Sequence, residues 1–358
     1  MARPVRETIQ ARIRSTFGNN TAVGSFIALA GDASSRRYYR AKLNGNSVPP
    51  SVIVMELPEG SSLPLSSEEL AVFKEPPKEL PFVNVQRFLS KVGVRVPKLY
   101  EYWKQEGIVL LEDFGDTLLW DHVQGLPSVE VLRWYQKAID QLLVLQVRGT
   151  KERDDSCIAF QQRFDYRLYM WEFDHFLEYG LRKRPEIHIK PNEMDALRKV
   201  FEGIARALAS QIPCLNHRDY HSWNLMIPDG DIAVIDFQDA LLAPPQYDLA
   251  SLLNDRETDR AIMPELEEQL ISYYLNRREA TGERSASRDE FVEVYRLSAV
   301  QRDLKVVGRF YYLDLVKGKP GYKKFIPATL RRLKRNLGKI PQLKEILSVL
   351  SRHYEEIR

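Results

Sequence analysis

His217-Arg218-Asp219-Tyr220-His221-Ser222-Trp223-Asn224, followed by Ile235-Asp236-Phe237, is the stretch whose reading decides the fold. Between the two segments, Asp229-Gly230 is a hairpin turn dipeptide, flanked by Leu225-Met226-Ile227 and Ile232-Ala233-Val234-Ile235. Asn224 and Asp236 are equidistant from Gly230 in sequence. An antiparallel hairpin centred there brings an amide oxygen and a carboxylate roughly opposite each other at its open end, beside the loop that carries Asp219. Oxygen ligands with room left for water and phosphate suit Mg²⁺, a hard ion that rarely takes a full protein cage.

Upstream of this island the chain is β-rich. Val5, Ile9, Ile13 and Phe17 recur every four residues and predict an opening helix. Tyr38–Leu43 and Val52–Leu57 read as strands about an Asn44-Gly45-Asn46 turn, residues 58–80 as a loop, Phe82–Val92 as a helix, and Lys98–Trp103 and Ile108–Glu112 as two more strands. Beyond Gly115 helical spacing dominates, in Val129–Val147, Phe164–Leu181, Glu193–Ala209, Glu265–Arg278, Phe291–Leu313 and Leu343–Tyr354. The sum is an α+β chain: a small β-rich lobe over residues 1–112 and a large helical lobe over residues 113–358.

Phosphoryl transfer needs metal ligands to neutralise phosphate charge and a carboxylate to orient the attacking hydroxyl and accept its proton. HxDxxxxN with a following IDF is the kinase pattern in a small-molecule form. With its two-lobed order and with Leu110-Leu111-Glu112-Asp113-Phe114-Gly115 as a hinge, the sequence resembles the aminoglycoside phosphotransferase and choline kinase family, which has a protein-kinase-like fold. The resemblance covers nearly the whole chain. It implies ATP and Mg²⁺ as cofactors, Asp219 as catalytic base, Asn224 and Asp236 as metal ligands, and Asp248 as a carboxylate that holds the catalytic loop. It also implies adenine contacts from the backbone around Leu111 and Asp113, and a phosphate-covering loop at Gly31-Asp32-Ala33-Ser34-Ser35, where Ser34 and Ser35 add hydroxyl donors. His217 reads as a structural histidine, and His221 fits either a structural or a chemical role.

The sequence departs from that family at Val52-Ile53-Val54-Met55-Glu56-Leu57, which lacks the strand lysine expected to pair the α- and β-phosphates. Arg37, before the neighbouring strand's core, is the substitute expected here. Gly31-Asp32-Ala33-Ser34, the 217–222 loop, Asp236-Phe237-Gln238-Asp239-Ala240 and Gln301-Arg302-Asp303-Leu304-Lys305-Val306 resemble a narrower group. That group is the anomeric N-acetylmuramate/N-acetylglucosamine kinases of cell-wall recycling. The implied acceptor is the C1 hydroxyl of an amino sugar, with Gln238, Asp239, Gln301 and Arg302 as candidate substrate contacts. The run Trp171-Glu172-Phe173-Asp174-His175-Phe176 reads as a helix packed into a core. An aminoglycoside or other hydroxyl kinase, and a non-catalytic nucleotide-binding protein, are the competing readings.

Composition narrows the field. The 358 residues are 44% apolar and 28% charged, ordinary for a globular chain long enough to bury a large core. A net charge of +3 gives no argument for nucleic acid. Cys157 and Cys214 form no CxxC pair, so a disulfide framework is not expected and a reducing cytoplasm is. No segment approaches the ~20 apolar residues of a membrane span, and the charged start Met1-Ala2-Arg3-Pro4-Val5-Arg6 lacks the apolar core of a signal peptide.

Overall fold

The structure, a computed structural model, describes residues 6–29, 36–58, 78–283 and 287–358. Its N-terminal part is an antiparallel sheet in the order β1-β2-β3-β5-β4. The strands are β1 (Ala22–Leu29), β2 (Arg37–Asn44), β3 (Ser51–Glu56), β4 (Leu99–Trp103) and β5 (Ile108–Glu112). β1 was not expected. Its eight residues alternate only loosely between exposed and half-buried, so no period-2 pattern marks it in the sequence. Helix α1 (Arg6–Phe17) opens the chain, and α2 (Pro81–Lys91) lies between β3 and β4.

Side chains alternate across a strand, and here the alternation builds two separate cores. Val52, Val54, Ile108 and Leu110 face one side with Ile9 and Ile13 of α1. Met55, Val109 and Leu111 face the other, with Phe82, Val85, Phe88 and Leu89 of α2. This second core continues through Leu225, Val234 and Phe237 of the hairpin and Leu249 beyond it. The β-rich and helical parts therefore share buried apolar surface instead of meeting as two independent globules.

The helical part comprises α3 (Leu119–Val123), α4 (Ser128–Leu143), α5 (Tyr166–His175), α6 (Pro191–Ala209), α7 (Gln246–Leu253), α8 (Pro264–Glu279), α9 (Arg288–Leu315), α10 (Ile326–Gly338) and α11 (Lys344–Leu350). α4 and α5 each run on into a π-helical turn, Val144–Arg148 and Phe176–Arg182. α9 starts at a capping box in which Ser287 and Glu290 satisfy each other's backbone donors. Where α9 crosses the turn after α5, a Cβ on Gly308 would stand 2.7 Å from the Phe176 Cα; only glycine permits that approach. Two short ladders sit between the lobes: β6 (Cys214–Asn216) with β9 (Leu241–Ala243), and β7 (Leu225–Met226) with β8 (Ala233–Val234). Among the described residues no helix is long and apolar enough to cross a membrane. Cys157 and Cys214 are both buried free thiols, the latter pushed up to about 12 by burial.

Candidate active site

The loop between β6 and β7 carries Asp219, and its shape comes from buried anchors around it. Asp248, at the start of α7 and fully buried, accepts the backbone N–H of His217 at 2.5 Å and of Arg218 at 3.0 Å. Burial pushes its carboxyl up to about 6 against these bonds. Arg218 has φ +81°, a left-handed conformation that a non-glycine residue holds only when its surroundings compel it. The buried His217 ring bonds the Ile235 carbonyl through Nε2 at 2.8 Å and accepts the Asp219 N–H at Nδ1 at 3.3 Å, which fixes the tautomer protonated at Nε2. Tyr220 donates its hydroxyl to the Ala138 carbonyl of α4 at 2.8 Å. Trp223 stacks on Trp120 of α3 with ring centres 4.3 Å apart. Asp248 and His217 are thus loop supports.

The hairpin converges as expected but by a different register. Leu225 pairs with Val234 and Met226 with Ala233, so Ile235, not Asp236, lies opposite Asn224, and its N–H bonds the Asn224 carbonyl at 3.0 Å. The pairs are centred between Asp229 and Gly230, not on Gly230 itself, which moves every partner by one. Within the turn, Pro228–Gly230 forms a short 3-10 turn in which Asp229 has φ +53°. Asp236 has φ +63°, a kink that brings its carboxylate to within 3.5 Å of the Asn224 amide despite the offset.

Asn224 donates from Nδ2 to the Asp219 carbonyl at 2.9 Å. Its amide oxygen therefore remains available as an acceptor. Asp236 is exposed, and Gln238 Nε2 bonds its Oδ1 at 2.9 Å. The two side chains meet through the Asn224 amide nitrogen at 3.5 Å, and between them they carry the hard oxygens, one amide and one carboxylate, that suit Mg²⁺ bound partly through water and phosphate. Among the described residues no group of three or more His, Cys, Asp or Glu could enclose an ion, so the fit is to a shared ion and not to a protein cage.

Asp219 keeps 38% of its side chain open. Burial raises its carboxyl; Lys305 and Arg302 outweigh this and hold it well below the usual carboxylate range. Lys305 Nζ stands 3.5 Å from Asp219 Oδ1, and Arg302 Nη1 3.6 Å from the same oxygen. His221, buried 3.8 Å from Asp255, is pushed down to about 4 by burial, so it carries no charge at neutral pH.

The remaining expected nucleotide residues lie as follows. Arg37 pairs with Glu56 at 3.1 Å on the α1 side of the sheet, because Arg37↔Glu56, Tyr39↔Val54 and Ala41↔Val52 share one face. It faces away from the hairpin. Arg36 and Tyr38 take the opposite face; Arg36 is buried and hydrogen-bonded to Tyr38, and Asp236 is close enough to act on the Tyr38 hydroxyl. Leu111 lies inside the sheet, paired with Ile53 on one side and Leu99 on the other. The Asp113 carboxylate is taken up by Arg40 at 2.6 Å, Ser51 at 2.6 Å and the Gly115 N–H at 2.9 Å, fastening the connector to β2 and β3. Ser34 and Ser35 lie outside the described residues.

Gln238 and Asp239 lie beside Asp236, with Gln238 Nε2 reaching Asp239 Oδ2 at 3.3 Å. Gln301 and Arg302 do not line an open cleft; both are buried behind the loop. Gln301 donates to Glu172 at 2.7 Å, and Arg302 to the Arg218 carbonyl at 2.7 Å. The buried Glu172 lies on a packing helix, as its sequence context predicts, and it also meets Arg218 at 3.3 Å and Lys305 at 3.5 Å. A charged residue on the buried face of an aromatic helix was the one available signal for it.

The chain is 27% identical over 330 residues to an N-acetylmuramate/N-acetylglucosamine kinase of Pseudomonas aeruginosa, covering 91% of this chain and 87% of that one. It is 29% identical over 329 residues to a protein of the same name from Neisseria meningitidis, covering 90% and 88%. Among solved structures, the ADP-bound aminoglycoside phosphotransferase APH(2'')-Ib superposes with a TM-score of 0.59 at 14% identity, over 91% of this chain and 97% of that one. The choline kinase LicA from Streptococcus pneumoniae gives 0.57 at 16%, over 93% and 98%. These two likenesses establish the two-lobed kinase-like fold. A profile of the phosphotransferase enzyme family matches residues 25–288, from β1 through the Asp219 loop and the hairpin to the start of α9, and the chain belongs to that family.

Proposed function

We propose that this chain is an ATP- and Mg²⁺-dependent kinase that phosphorylates the anomeric hydroxyl of N-acetylmuramate or N-acetylglucosamine. The observation that carries the reading is the convergence of Asp219, Asn224 and Asp236 at the mouth of one hairpin. The shared name of the relatives supports the acceptor class. Asp219 would orient the acceptor hydroxyl and take its proton as the oxygen–phosphorus bond forms and the bond from phosphorus to the β-phosphate oxygen breaks, releasing ADP. Its depressed proton affinity makes it an orienting acceptor that receives the proton late. Mg²⁺ held by Asn224 and Asp236 would neutralise charge on the donor phosphates. Arg36 and Tyr38, on the sheet face nearest Asp236, are the N-lobe groups suited to the phosphates. Gln238 and Asp239 would meet the acceptor. The test is incubation with Mg·ATP and, separately, N-acetylglucosamine, N-acetylmuramate and kanamycin, followed by ³¹P–¹H correlation NMR. Phosphate at sugar O1 is expected. Phosphate on kanamycin with both sugars untouched would overturn the acceptor assignment.

A further inference from the structure

β3 carries no lysine, so the cation that a phosphoryl-transfer site needs close to the reacting group has to come from elsewhere. Helix α9 places one there. Lys305 Nζ sits between two carboxylates, 3.5 Å from Asp219 Oδ1 and 3.5 Å from Glu172 Oε1, with 13% of its side chain exposed. The two carboxylates differ in standing. Glu172 is buried and already bonded by Gln301 at 2.7 Å and Arg218 at 3.3 Å. Asp219 is half open on the side where the acceptor and phosphate must meet. An ammonium has three N–H donors, and both of its ion pairs here lie at the outer limit of hydrogen bonding. Lys305 therefore retains donor capacity for a third acceptor beside Asp219.

We propose that Lys305 is a catalytic residue whose ammonium contacts an oxygen of the phosphoryl group in flight, anchored from behind by Glu172. The inference rests on the reading of Asp219 as the base. A lysine offered from the C-terminal lobe does the electrostatic part of the work that a strand lysine would do from the sheet. Lys305 donates hydrogen bonds and keeps its own proton. The proton of the acceptor hydroxyl goes to Asp219, and the phosphorus–oxygen bond to ADP breaks. Because the phosphoryl oxygens lie between donor and acceptor only during transfer, the contact strengthens in the transition state, which is the condition for raising turnover rather than tightening binding. Glu172 is a positioning residue: it touches no substrate and fixes the lysine stem.

The experiment compares wild type, Lys305→Met and Lys305→Arg in three measurements: kcat and KM, melting temperature, and affinity for Mg·ADP with and without aluminium fluoride, which mimics the phosphoryl group in flight. The expected result for Lys305→Met is a fall in kcat of about 10²–10³, the range for loss of one preorganised transition-state donor, with KM for ATP and Mg·ADP affinity within about threefold. The added affinity conferred by aluminium fluoride should be lost in the same variant, and Lys305→Arg should recover part of both. A purely structural role would lower the melting temperature and Mg·ADP affinity but leave the aluminium fluoride increment intact, and that outcome overturns the proposal. If wild type transfers phosphate and Lys305→Met gains as much from aluminium fluoride as wild type, only the Lys305 assignment falls. If wild type neither transfers phosphate nor responds to aluminium fluoride, the kinase reading falls and takes the assignment with it.

Discussion

Replacing Asp219 with Asn should stop turnover without weakening nucleotide binding, and the structure explains why the two separate. The loop is held through main-chain atoms: the Asp219 N–H bonds His217 Nδ1, and its carbonyl accepts the Asn224 amide at 2.9 Å. The carboxylate contributes only the ion pairs to Lys305 and Arg302, at 3.5 and 3.6 Å, from a side chain 38% exposed. Asp219 is partly open, but Arg302 is 2% and Lys305 13% exposed. The pairs therefore lie between exposed ones, worth up to about 1 kcal/mol each, and buried ones, whose breaking costs about 3–5 kcal/mol. Asp219→Asn should cost about 2–4 kcal/mol, at roughly 2–4 °C of Tm per kcal/mol. Loss of a positioned base lowers turnover by about 10²–10⁴. Nucleotide affinity should hold or improve. A carboxylate and one phosphate charge roughly 5 Å apart in water-like surroundings repel by about 0.8 kcal/mol, and removing that term tightens binding about fourfold. Kinetics at saturating acceptor and calorimetry with Mg·ATP would measure both. Turnover within about threefold of wild type would refute the base assignment. Affinity weakened more than about tenfold, with Tm intact, would refute the charge argument.

Asp236→Ala should abolish the Mg²⁺-dependent part of ATP binding while leaving binding of metal-free ATP as tight or tighter, as calorimetry with and without the ion would show; a retained metal effect would remove Asp236 from the ligand set. Arg332→Leu should cost about 3–5 kcal/mol, because it strands the Asp303 carboxylate, bonded at 2.7 and 3.0 Å with both side chains 1% exposed. Chemical denaturation would measure this, and the Asp303→Leu/Arg332→Leu pair should recover part of the loss. Neither Asp219, held low, nor His221, at about 4, changes charge between roughly pH 5 and 8. Two buried carboxyls are raised to about 6, Asp248 and Asp303. Among the described residues Asp303 bonds only Arg332. An acid limb of kcat in that window is therefore assigned to Asp248, whose protonation as pH falls weakens its hold on the loop amides, and Asp303→Asn should leave that limb in place. His221→Asn should leave that limb in place, and its disappearance would make His221 the titrating group.

The features legible in the sequence were those encoded by local pattern. The i,i+4 isoleucines of α1, the apolar run of β5 and the Asp-Gly turn each declare themselves within a few residues. What depended on which side of a strand a residue takes was not legible from composition of the segment alone. Arg37 and Arg36 are neighbours in sequence, yet alternation puts Arg37 with Glu56 on the α1 face and Arg36 on the face of Tyr38. The hairpin offset arose from the centre of the turn: pairing about Gly230 and pairing about the Asp229–Gly230 bond differ by one residue in every partner, and only the left-handed backbone at Asp236 restores the convergence with Asn224. Glu172 and Lys305 were hidden because their neighbourhood is tertiary. They belong to α5 and α9, far apart in the chain, and meet only because Gly308 lets α9 close onto Phe176.

The cationic stretch from Leu315 to Leu343, which contains no Asp or Glu, shows how little a charge run says before its partners are known. Much of it is spent on the fold. Arg332 is buried on Asp303, Lys323 pairs with Asp314 at 3.1 Å, and Arg335 reaches Glu267 at 3.4 Å. The part that approaches the catalytic loop is Phe325, whose ring lies 6.3 Å from Trp223. There the cations are held over aromatic faces: Arg256 stands 4.9 Å from Trp223 and 5.5 Å from Phe325, and Lys324 4.9 Å from Phe325. A polycationic acceptor needs carboxylates to receive it, and this side of the loop offers aromatic rings already occupied by positive charge. Asp255, a buried acid here, stands 3.7 Å from the Arg256 guanidinium, and the neutral His221 ring lies 3.8 Å away. The sign of this wall therefore favours a neutral or anionic sugar over an aminoglycoside, and it does so through a few placed cations rather than through the net charge of the run.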